Sequence, residues 1–203
     1  KVCANISDKM KRGETVKFGK KEVDASEAVF YLNSVADILS VLRSCKLKKS
    51  EFNLLCSQSN EQRVKKAGYT IGKIPGEGEP HKMFTFCTRS YFLGCDMFSE
   101  SAYSYIFADA TSKTLALAIS TDLSQILGRQ RLESNPYRHE AILFFRKGSI
   151  CFADADFKAY ITAKEQKTHR KINMFHGLPT HEEKLEMVGL IRSDIDKKHY
   201  SDD

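Results

Sequence analysis

The chain has 203 residues, 41% of them hydrophobic, with 32 Lys and Arg against 26 Asp and Glu, a net charge of +6. That length suits one α/β domain with a small appendage and buries a core without disulfides or metals. No apolar run approaches the roughly 18 residues that cross a bilayer, which argues against a membrane-spanning chain.

Residues 1–24 read as a charged lead-in, with a helix ending at Gly13 and an extended stretch around Val16 and Phe18. Residues 28–33 (AVFYLN) form a short apolar run rich in strand formers, after which Val35, Ile38, Leu39 and Leu42 recur at helical spacing. Residues 52–57 (FNLLCS) give the next strand. A capping box from Ser59 to Gln62 then opens a short helix that closes near Gly68. Gly72, Pro75, Gly76, Gly78 and Pro80 mark a flexible connection. Strands follow at 83–87, 105–109 and 140–145, with a helix at 120–131 between the last two. Two helices at 154–175 and 180–200 close the chain, the second opened by a capping box from Thr180 to Glu183.

Strand and helix alternate, and the strands are apolar nearly throughout. Burial on both faces is implied, hence an α/β fold with a mostly parallel sheet and helices on each side. Phe30, Leu32, Leu54, Phe84, Phe86, Ile106, Leu143 and Phe145 are the expected core positions. The layout is a lead-in at 1–24, an α/β domain at 25–153 and a helical extension at 154–203.

The six cysteines include no C-x-x-C pair, and Cys56, Cys87 and Cys151 sit among apolar residues. Free thiols in a reducing, cytoplasmic setting are the simplest account. The first residue is Lys1 rather than Met, so a piece of a larger protein is expected.

No Walker loop, dinucleotide fingerprint, zinc-protease helix or nucleophile elbow is present. The chemistry-bearing residues instead follow apolar strands, where open α/β sheets place ligand-binding groups. Thr88 stands directly after a strand, with Gly94 and Asp96 in the loop beyond it, and Gln125, Gly128, Arg129 and Arg131 cluster on the helix at 120–131.

These segments resemble the motifs of superfamily 2 helicases. Residues 87–96 (CTRSYFLGCD) resemble motif V, a Thr after a strand followed by Gly and then Asp at fixed spacing. Residues 124–131 (SQILGRQR) resemble motif VI, the Gln-x-x-Gly-Arg signature. Residues 28–34 (AVFYLNS) resemble motif IV, 53–63 (NLLCSQSNEQR) the strand–Ser/Thr–helix unit after it, and 106–112 (IFADATS) the strand ending in Asp. The segments occur in the family's order.

The resemblance implies a C-terminal RecA-like domain, working with an N-terminal RecA-like domain that carries the Walker loop and the Mg²⁺ ligands. ATP with Mg²⁺ is the implied cofactor, DNA or RNA the implied partner, and no membrane is involved. On that footing Arg129 is the arginine finger and Gln125 its neighbour near the phosphates. Gly94, Asp96, Gly128 and Arg131 belong to the nucleotide side, and Ser34, Ser57 and Thr88 hold nucleic-acid phosphates, contacts that position a strand without reading it. The chain alone is expected to hydrolyse no ATP.

Many members carry a second motif VI arginine three residues after the first, where this chain has Leu132. Arg131 stands one residue early, turned by about 100° if the helix continues. Arg89 occupies a position where the DEAD-box branch commonly has an acid, which sets the chain outside that branch. Two other readings stay open: a helicase-like module that binds without hydrolysis, and an unrelated doubly wound ligand-binding domain. Gly128 and the arginines after it also fit an ordinary helix end.

Overall fold

The computed structural model describes residues 1–92, 94–112, 114–148 and 154–198. The charged N-terminal stretch folds into the domain. Helix α1 (Val2–Lys11) buries Cys3, Ile6, Ser7 and Met10, a spacing that turns one face inward. Gly13 then adopts φ +69°, a left-handed conformation that glycine takes without a Cβ clash. An antiparallel hairpin follows, β1 (Val16–Phe18) and β2 (Lys21–Val23). Val16 and Val23 join the same core as α1, so the segment predicted as a lead-in is part of the packing.

Five strands form an all-parallel sheet: β3 (Glu27–Leu32), β4 (Phe52–Leu55), β5 (Phe84–Cys87), β6 (Ala102–Asp109) and β7 (Ala141–Arg146). Their order is β4-β5-β3-β6-β7. Helix α2 (Val35–Ser44) follows β3, α3 (Glu61–Lys66) follows β4, α4 (Arg89–Phe92) follows β5, and α5 (Ser124–Leu127) precedes β7. This is the α/β, RecA-like arrangement the sequence leads one to expect, a parallel sheet flanked by helices.

The strands alternate between two cores. Ala28, Phe30 and Leu32 face one way, with Phe84, Phe86 and Tyr105, and pack with α1, α2 and the hairpin. Val29 and Tyr31 face the other way, with Leu55, Cys87, Phe92 and Ile126. Phe30 is the centre of the first core. Its ring stacks on Phe86 at 4.8 Å and on Tyr105 at 5.4 Å, its register partners on the two neighbouring strands. Aromatic cross-strand pairs of this kind pin register.

Several boundaries differ from the sequence reading. The strand predicted at 105–109 begins earlier, at Ala102. The helix predicted at 120–131 starts with a π-helical turn at Ile119–Leu123 and ends at Leu127. Beyond it the backbone pairs elsewhere: Met97 N donates to Arg129 O, and Arg131 N donates to Met97 O, both at 2.9 Å. The Ser59–Gln62 capping box does not form. Ser57 caps instead, its hydroxyl accepting from Ser59 N at 3.4 Å as the 3₁₀ turn Gln58–Asn60 leads into α3. Leu143 and Phe145, expected in the core, are exposed on the edge strand β7, whose Ile142 and Phe144 pack against the first core and Ala141 against the second. Gly72 is more than a linker residue. Its N–H donates to Leu54 O at 2.8 Å, and a Cβ there would lie 1.5 Å from the Asn53 side-chain oxygen.

The chain divides into two units, Lys1–Arg146 and Lys147–Asp203. The second holds α6 (Asp154–Gly177) and α7 (His181–Lys198). The capping box predicted there does form: Glu183 N donates to Thr180 Oγ1 at 3.2 Å and Thr180 N to Glu183 Oε2 at 3.1 Å. The boundary predicted at 153, the core thiol predicted at Cys151 and the helix end predicted at Tyr200 lie outside the described residues. Among the described residues no helix is long and apolar enough to cross a membrane.

Replacing Phe30 by Ala removes the ring on which both neighbouring strands stack. Urea unfolding should report a loss of about 3–5 kcal/mol. A loss below about 1 kcal/mol would show that the register does not depend on this ring.

Candidate functional site

Parallel strands deliver the loops after β3, β4 and β5 to one edge of the sheet. β3 and β6 are neighbours whose following connections run to opposite sides, to β4 and to β7. Such a switch point opens a crevice at the carboxyl ends of the strands. Asn33, the first residue past β3, spans it: its Nδ2 donates to Thr114 O at 2.6 Å, and its Oδ1 accepts from Arg89 N at 3.0 Å. One amide thus ties the loops after β3, β5 and β6.

An open pocket of about 380 Å³ lies here, and Ser34, Ser57 and Thr88 all line it, with Asn33, Ser90 and Arg63. The three residues predicted to hold phosphates therefore come together, although they are far apart in sequence. Their hydroxyls differ in freedom. Ser34 is the N-cap of α2 and accepts from Asp37 N at 3.2 Å, which leaves its own proton to donate. Ser57 likewise accepts from Ser59 N and lies 2.9 Å from the Ser59 hydroxyl. Thr88 is buried. Its N–H donates to Leu55 O at 3.0 Å, and its hydroxyl reaches the same oxygen at 3.4 Å and Ser90 Oγ at 3.1 Å. Thr88 therefore anchors the loop, while Ser34, Ser57 and Ser90 offer the more accessible hydroxyls. Arg63 is the only charged side chain among the described residues of the lining. Hydroxyl and amide donors beside a cation, without an acid, suit an anionic oxygen ligand.

The second group of predicted residues gathers around Arg129. This side chain is only 8% exposed. Its Nε donates to Gln125 O at 2.9 Å, one terminal nitrogen to Cys95 O at 3.3 Å, and the other to Gln125 Oε1. Asp96 Oδ1 lies 3.7 Å from the guanidinium and accepts from Arg131 Nε at 2.7 Å. Gln125, Asp96, Arg129 and Arg131 are thus one cluster. A buried guanidinium is tolerable only with its donors paired, and here it clamps the loop after β5 onto the end of α5. Arg131, whose side chain is 48% exposed, presents the accessible cation. Gly94 has open space where a Cβ would sit, and at Gly128 a Cβ would meet only ordinary contacts at 3.7 Å.

The thiol within this cluster takes no part as a nucleophile. Burial pushes Cys95 up to about 11, against the opposing pull of Arg129, so it stays protonated at neutral pH. Its Sγ donates to Tyr91 O at 2.7 Å. No group of three His, Cys, Asp or Glu side chains that could hold a metal ion occurs among the described residues.

Sequence reasoning missed two contributors. Asn33 closes a strand in the sequence pattern, and a polar residue ending an apolar run is the available signal. The other is Asp122, 2% exposed, which accepts from Arg89 through both oxygens at 2.8 and 3.1 Å and from Ala118 N at 3.1 Å. It joins the residue after Thr88 to the start of the α5 region. Nothing in the sequence pairs residues so far apart.

No family model, curated protein or solved structure matches the chain. The site is therefore read from its geometry.

Replacing Asp122 by Ala leaves the Arg89 guanidinium and the Ala118 N–H without this acceptor. Loss of a buried acceptor from a charged donor should cost about 2–3 kcal/mol in urea unfolding. An unchanged midpoint would remove Asp122 from the framework of the site.

Proposed function

We propose that the chain is the C-terminal half of an ATP-dependent nucleic-acid helicase or translocase, completed by an N-terminal RecA-like domain. One observation carries this reading. The residues of the motif IV-like, V-like and following Ser-bearing segments meet in one pocket at the switch point, with no acid among the described lining residues, and those of the motif V-like and VI-like segments meet around Asp96. The pocket takes backbone phosphates of DNA or RNA through Ser34, Ser57 and Ser90, with Thr88 positioning the loop.

The Arg129 cluster is this chain's share of the nucleotide site. Two guanidiniums, an amide and the open space at Gly94 fit the anionic end of ATP, whose Mg²⁺ ligands belong to the partner domain. Bound ATP supplies the phosphoryl group whose developing charge the arginines neutralise. Arg131 is already accessible. Arg129 exchanges its Gln125 acceptor for phosphate oxygen when the two domains close, a charge-assisted bond being stronger than one to a neutral amide. The five described cysteines are free and buried, which supports a reducing, cytoplasmic setting.

The full engagement of Arg129 favours a second reading, a helicase-like module that binds nucleic acid without hydrolysis. One substitution separates them. In the protein that joins this chain to its Walker-bearing domain, Arg129→Ala should lower kcat by about a thousandfold or more and leave nucleic-acid affinity nearly intact. An unchanged kcat would remove Arg129 from phosphoryl transfer, and the absence of any ATPase in the parent protein would favour the module.

A further inference from the structure

A second open pocket, of about 470 Å³, adjoins the first on the side of α2 and α3. Arg43 from α2 and Arg63 and Lys66 from α3 line it, beside Leu39. Ala36 and Arg63 line both pockets, so the two are neighbours. Among the described residues neither lining contains an acidic or an aromatic side chain.

Three cations without an acidic partner among the described residues converge on this one pocket. Several exposed cations of the α/β unit sit beside acids: Lys11 beside Glu51, Lys17 beside Glu22, Arg131 beside Asp96 and Arg146 beside Asp109. On α3 itself Lys65 pairs with Glu61 one turn away at 2.7 Å. Arg43, Arg63 and Lys66 have no ion-pair partner among the described residues, yet they share one pocket. Like charges gathered without counter-charges repel one another, and a concave basic surface raises the local concentration of anions.

We propose that the crevice between α2 and α3 is a second phosphate subsite that grips the sugar-phosphate backbone of a single nucleic-acid strand leaving the strand-end pocket. The inference rests on the nucleic-acid reading of that first pocket and extends its track to residues outside every motif-like segment except Arg63. Two guanidiniums and an ammonium, with no aromatic platform among the described residues, suit phosphate better than stacked bases, so the subsite adds affinity without sequence preference. A continuous strand is the occupant that fits two neighbouring basic depressions sharing one arginine.

The test is oligonucleotide binding by the 203-residue chain as a function of salt, with single-stranded dT and rU oligonucleotides in separate arms. The variant R43Q/R63Q/K66Q should bind about tenfold more weakly at low salt, and its slope of log K against log salt should flatten by about 2, three contacts at about 0.7 each. The lysine and arginine interchange R43K/R63K/K66R should keep the parental slope. A charge-matched control, K20Q/K49Q/K73Q, lies outside both pockets and should leave the slope unchanged. An unaltered slope in R43Q/R63Q/K66Q, with the parent chain still binding, overturns the subsite and leaves the first pocket standing. Equal flattening in the control overturns it too, since net charge alone would then account for the effect. A parent chain that binds neither oligonucleotide overturns the nucleic-acid reading and the subsite together.

Discussion

Parallel pairing of β3 with β5 on one side and β6 on the other sends every strand's carboxyl end to the same edge of the sheet. The candidate site depends on that constraint. Ser34, Ser57 and Thr88 share no local sequence context, and only the common polarity of their strands brings them to one pocket. The stacking of Phe30 between Phe86 and Tyr105 resists a register slip, which would turn the whole inward set of β3 to the opposite face. Asn33 then converts a row of strand ends into a fixed crevice by bonding two further loops. Packing places the loops, and hydrogen bonds shape them.

The Arg129 cluster shows the opposite tension. A charge taken out of water needs acceptors, and Arg129 finds them on Gln125 and Cys95, with Asp96 close by. Those bonds stiffen the loop after β5, yet they occupy the group proposed to meet phosphate. Arg131 is less constrained and shares the same carboxylate. The early ending of α5 makes this possible. Because the chain after Gly128 pairs with Met97, Arg131 follows an extended path and does not carry the angular offset a continued helix would give it.

Much of the architecture was legible in the sequence, because apolar runs of strand length alternating with helical spacing have few other solutions. The elements misjudged were those decided by distant partners. Residues 128–131 read as helix because their local pattern permits it, but Met97 supplies competing backbone bonds. Ser59 looked like a cap because Gln62 follows it, yet the 3₁₀ turn moves that role to Ser57. Leu143 and Phe145 looked like core because hydropathy does not distinguish a central strand from an edge. The site was visible as a set of residues but not as a geometry. The freedom of Ser34 against the burial of Thr88, and the tie from Arg89 to Asp122, depend on contacts between loops that no local spacing encodes.

The central claim is that the carboxyl edge of the sheet is the phosphate-binding surface. Amide hydrogen exchange on the 203-residue chain, with and without a single-stranded oligonucleotide, tests it most directly. The account predicts added protection in the loops holding Ser34, Ser57 and Ser90, and little change along β7. Protection confined to β7 or to α6 and α7, with those loops unchanged, would contradict it.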